Sequence, residues 1–126
     1  MSVDRIRFVT HRDQRILLLD FTGCTAEEVA DIAGQAPAII TPEPSGSLLT
    51  LGDFSGAEFT REAIERIKIS MAFNRAHVKR SAWVLTENLP KALYDSVRSF
   101  TAREFPVFAT REEALDYLVS ESPAEK

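Results

Sequence analysis

Apolar and polar positions alternate with a period of two at the start of the chain and fall into helical spacing after residue 25. Ile6-Arg-Phe-Val-Thr10 alternates, which predicts a half-buried edge strand. His11-Arg-Asp-Gln14 is a polar turn, and Arg15-Ile-Leu-Leu-Leu-Asp-Phe21 predicts a strand buried on both faces. So short a turn between two strands implies an antiparallel hairpin. Thr25-Ala-Glu-Glu28 is a capping box, and Val29, Ile32, Ala33 and Ala36 form the stripe of the helix that follows. Pro37 lacks a backbone donor, so a kink or break is expected there. Pro42, Pro44 and Gly46 mark a loop.

Ser47 to Leu51 is nearly all apolar and predicts a central strand. Asp53-Phe54-Ser55-Gly56 is a polar turn, and Thr60 caps a second helix with Ala63, Ile64, Ile67 and Met71 inward. Ile69, Phe73 and Ala76 widen that helix's apolar face beyond what one sheet covers. Ser81 to Leu85 predicts a fourth strand. Asn88-Leu-Pro90 opens a third helix that runs to Phe100, and Pro106 to Ala109 is a short last strand. Thr110-Arg-Glu-Glu113 is a second capping box, followed by Ala114, Leu115 and Leu118. The order β-β-α-β-α-β-α-β-α predicts a single α/β domain over residues 1–121. Its sheet is mixed and mostly parallel, with about five strands and about four helices. Residues 122–126 form a tail.

Composition agrees with one globular domain. The chain has 126 residues, 44% hydrophobic and 27% charged, enough to bury a core without a metal or disulfide. A net charge of -4 argues against a general nucleic-acid binder. The single cysteine, Cys24, excludes an intrachain disulfide. No apolar run reaches a membrane span of roughly 20 residues, and Met1-Ser-Val-Asp-Arg-Ile-Arg7 has no signal-peptide core. A reducing cytoplasm is the expected location.

Chemistry-bearing patterns are few. His11-Arg12-Asp13 matches the start of a kinase catalytic loop, but Leu18 stands where that loop needs Asn. No phosphate-binding glycine loop or nucleophile elbow occurs. Neither His11 nor His77 has a neighbour at metal-ligand spacing, so no metal and no cofactor are expected. Cys24 precedes a helix N-terminus, where a thiol can become reactive; the plainer reading is a small semi-buried side chain. Asp53, Ser55, Gly56 and Thr60 remain as a candidate ligand or partner surface at a strand-to-helix turn.

These residues carry a family resemblance. Gly46-Ser-Leu-Leu-Thr-Leu-Gly-Asp-Phe-Ser-Gly56, Ser81-Ala-Trp-Val-Leu85 and Phe105 through Leu118, with the opening hairpin, resemble the STAS domain (sulfate transporter and anti-sigma factor antagonist). The similarity is to its stand-alone bacterial SpoIIAA-like branch and covers about residues 6 to 119. In family members a serine at the second helix start, within Asp-Ser-Ser-Gly, is phosphorylated by a partner kinase. Here Thr60-Arg-Glu-Ala63 stands in that place, which argues against the family phosphoswitch and leaves Thr60 and Ser55 as the available phospho-acceptors. The resemblance implies a non-enzymatic regulatory or protein-binding module with an unknown protein partner. The branch is also compared with Sec14-type lipid-binding domains, which implies a pocket for a lipid or small apolar ligand as the alternative. The surplus apolar face of the second helix predicts a homodimer. An enzyme would require a pair such as Asp53 with His77.

Overall fold

The computed structural model describes residues 5–85, 95 and 106–120. The predicted third helix falls outside them except for Asp95, as does the boundary between domain and tail at residues 121 and 122.

Five strands form one sheet in the order β1-β2-β3-β4-β5. They are β1 (Ile6–His11), β2 (Gln14–Asp20), β3 (Leu48–Asp53), β4 (Val78–Val84) and β5 (Val107–Phe108). The first pair is antiparallel, and the remaining pairs are parallel. Arg12 and Asp13 take positive φ at the hairpin tip, so the His-Arg-Asp triplet is turn geometry. Three helices are described: α1 (Ala26–Ile40), α2 (Arg61–Asn74) and α3 (Arg111–Val119), with a 3-10 turn at Arg75–His77 after α2.

Strand alternation sorts the core into two layers. Ile16, Leu18, Leu49, Leu51, Ala82 and Val84 face α3 through Ala114, Leu118 and Val119. On the other face, Phe21, Phe54 and Trp83 pack against α1 and α2 through Val29, Ile32, Ala33, Ala63 and Ile67. Leu17 and Leu48 meet Ala36 and Ile40 nearby. All six residues of β3 are buried, as its central position requires. The strand runs two residues further than its apolar run, because Gly52 and Asp53 continue the ladder with β2 and β4.

Thr25, Thr60 and Thr110 are the N-caps of the three described helices. Thr25 and Glu28 exchange both bonds of the capping box, at 3.2 and 2.9 Å. At Thr110 only the first half forms, from the Glu113 amide at 3.2 Å. Of the kink or break expected at Pro37, the break does not occur, since α1 runs through it to Ile40. Pro37 sits in the last turn of α1, where its missing donor removes one hydrogen bond. Thr41 closes the end with its amide and hydroxyl on the Pro37 carbonyl, and buried Ile40 holds the turn to the core. On the inner stripe of α2, Ala63 and Ile67 are buried and Ile64 and Met71 half-buried, whereas Ile69 and Phe73 beside it are exposed, at 47% and 64%.

Candidate functional site

The turn after β3 is built from ion pairs and backbone bonds. Asp53 is the last residue of its strand, and its side chain is buried. One oxygen accepts from the Ser55 amide at 3.1 Å, and the other accepts from Arg111 Nε at 2.8 Å. Its register partner on β2 is Asp20, which lies 3.6 Å from the same guanidinium and 3.4 Å from Arg5. Thr22 donates to Asp20 from its hydroxyl at 2.6 Å and its amide at 3.0 Å. Burial opposes ionisation of Asp20. The Thr22 bonds with Arg111 and Arg5 outweigh it, and the carboxyl stays below its ordinary value of 3.8. The two acids are therefore committed to binding α3 and the N-terminal strand to the strand ends. Asp20, Arg5 and Arg111 gave no motif. The available signal was an Asp ending each of two adjacent parallel strands.

Of the other predicted residues, Ser55 is half-buried, and Gly56 and Thr60 are exposed. The Ser55 carbonyl accepts from the Gly23 amide at 2.9 Å, and the Glu58 amide donates to Cys24, so the loops after β2 and β3 are tied together. Gly56 holds φ +73° with the Gly23 backbone alongside. The Thr60 hydroxyl caps α2 by accepting from the Ala63 amide at 3.1 Å.

The proposed carboxylate–histidine pair does not form. His77 precedes Val78, which pairs with Leu48 at the start of β3, while Asp53 is at its end. Five strand steps separate those positions by about 16 Å, beyond a one-water bridge. His77 Nδ1 instead lies 2.8 Å from the Glu43 carbonyl. His11 lies 2.8 Å from Asp116, and this contact pins the hairpin tip to α3. Cys24 is buried, and burial pushes its thiol up, with Arg5 opposing and Glu28 and Asp20 adding to the rise. That is the reverse of the activation a helix N-terminus would give. No cluster of three or more metal-ligating side chains occurs among the described residues. No described helix is long and apolar enough to cross a membrane.

A cavity of about 70 Å³ lies between the sheet and the α1–α2 layer. Its floor includes Thr50, Gly52, Phe54, Ser81 and Trp83, its roof Ala36, Ile67, Ser70, Met71 and Asn74. Exposed Arg75 marks where it reaches solvent. Gly52 keeps the floor low, because a Cβ there would stand 3.0 Å from the Phe54 ring. Phe54 in turn stacks on Phe21 at 4.4 Å and meets Trp83 at 4.5 Å. Ser70 and Asn74 are both buried, and Asn74 Nδ2 donates to Ser70 Oγ at 3.1 Å. Asn74 Oδ1 is buried without a partner among the described residues. Such a group costs about 1–3 kcal/mol. The sequence carried a sign of this. Residues 63, 67, 70 and 74 share one helical stripe, and the last two are polar.

No protein-family model matches the chain, and no curated protein matches it. Among solved structures it is similar to an uncharacterised DUF3478-family protein with a SpoIIAA-like fold from Shewanella loihica PV-4. The two share 19% identity and a TM-score of 0.66, over 94% of this chain and 98% of the other. The antiparallel opening hairpin, the parallel remainder of the sheet and this likeness together show that the chain has a SpoIIAA-like, STAS-type fold.

Proposed function

We propose that this protein is a non-enzymatic binding module that holds a small, mostly apolar molecule between its sheet and the α1–α2 layer. The observation that carries the reading is the cavity with the Asn74 carboxamide oxygen, buried and without a partner among the described residues, in its wall. Ligand sites are concave, mostly apolar and furnished with a few placed polar groups, and this cavity has that make-up. Its volume suits a few heavy atoms or the end of a chain better than a whole lipid. The non-enzymatic part is supported by the commitments of Asp53 and His77 described above.

The test uses Trp83, the single tryptophan of the chain, which lines the cavity. A set of small neutral organic fragments should include binders that alter its emission and shift the amide resonances of Gly52, Ser70 and Asn74. Ala36→Leu, which fills the cavity from α1, should abolish both signals while the fold is retained. Fragments that bind elsewhere, or none that bind, would sink the proposal.

A second reading, a docking surface for a protein partner, is favoured by one observation. Thr60 is exposed at the head of the 14-residue helix α2, which its hydroxyl caps, behind two loops that are bonded together. A phosphoryl group there would meet free helix amides. Under this reading, a partner captured by wild type is lost or gained with Thr60→Glu or Ser55→Glu. Capture unchanged by both substitutions removes the phospho-controlled version.

A further inference from the structure

We infer that the ligand carries a hydroxyl group on its apolar body, and that the Asn74–Ser70 pair of α2 reads that hydroxyl. The inference rests on the cavity reading above and narrows it to a ligand class, small neutral alcohols and phenols. Asn74 and Ser70 are both more than nine-tenths buried, and only one end of the carboxamide is used, in the bond to Ser70. A leucine at position 74 would continue the Ala63–Ile67 stripe, so the amide is a costly choice in a mostly apolar wall, whose other uncharged polar residues are Thr50, Ser70 and Ser81.

A bound water alone is a poor occupant. The cavity is several times the roughly 10–15 Å³ that one water needs, and its lining is mostly apolar, with Thr50, Ser70, Asn74 and Ser81 as its uncharged polar side chains. A ligand with an apolar body fills the remainder, and its polar group pairs with the amide. The charge pattern excludes ions. A cation would find no carboxylate in the wall, and an anion would find only Arg75, at the solvent end next to the negative end of the α2 dipole. Among neutral groups a hydroxyl fits best. It both donates and accepts, so it pairs with the carboxamide in either orientation about its axis, and with the Ser70 hydroxyl as well.

The experiment titrates the full chain with two matched pairs, phenol against toluene and 1-butanol against 1-chlorobutane, following Trp83 emission and the amide shifts of Ser70 and Asn74. Wild type should favour the hydroxyl member of at least one pair by about tenfold or more, because the apolar member leaves the buried Asn74 oxygen without a partner. Asn74→Leu should erase or reverse that preference while still binding the apolar member. Ser70→Ala, the milder change, should reduce the preference and serves if the leucine variant does not fold. Equal binding of both members by wild type, or a preference unchanged in the variants, overturns the inference and leaves the cavity as a ligand site. Failure of all four probes to bind overturns the inference together with the cavity reading.

Discussion

Asp20 and Asp53 end adjacent parallel strands and share one guanidinium. Removing either charge has a defined consequence. Asp53→Asn removes the charge and one of the two acceptor oxygens, so either Arg111 Nε or the Ser55 amide faces a donor instead, and stability should fall by about 1–3 kcal/mol in urea denaturation. Asp20 predicts the pH behaviour. Its folded-state pKa is lowered from 3.8, so its contribution is fully present above that value and is lost as pH falls through the lower folded value. Stability measured between pH 5 and pH 2 should therefore drop less steeply in Asp20→Asn than in wild type. Asn74 has the opposite character, since its amide weakens the apo fold. Asn74→Leu should raise the melting temperature, with a gain of about 1 kcal/mol or more from removing an unpartnered polar group. A gain in stability with loss of ligand preference is the expected mark of a binding residue.

β3 is the element on which both layers rest. It is hydrogen-bonded on both sides and buried along its whole length. Leu51 is fully buried against the α3 layer, so Leu51→Ala should cost about 2–5 kcal/mol in chemical denaturation. An unchanged midpoint would contradict the central position of the strand. α2 divides its surface three ways. Ala63 and Ile67 pack on the core, Ser70 and Asn74 line the cavity, and Ile69 and Phe73 face outward. A sequence stripe gives only the first of these roles, because periodicity reports a face and not what lies opposite it.

At the scale of the whole molecule, the two layers serve different ends. The α3 layer is closed by aliphatic packing and by ion pairs at the strand ends. The α1–α2 layer keeps space under its helices, with small residues such as Gly52 and Ala36 along the cavity. Self-association through the outer face of α2 is the expected use of Ile69 and Phe73. In sedimentation velocity, wild type should run as a dimer and Phe73→Ser with Ile69→Ser as a monomer. A monomeric wild type would remove that expectation.

Local sequence patterns suffice for the order of the strands and of the three described helices, for the antiparallel hairpin, for the central strand and for the Thr25, Thr60 and Thr110 caps. These follow from short-range physics: the period of apolar residues, turn residues and capping side chains lie within a few positions of one another. Tertiary structure alone decided the rest. It brought Asp20, Asp53, Arg5 and Arg111 together from four separate stretches and set Asp53 far from His77, which precedes β4 beside the opposite end of β3. It also left a cavity beneath Asn74. Each depends on register and on the packing of layers, and residues far apart in the chain carry no local mark of the neighbours that the fold will give them.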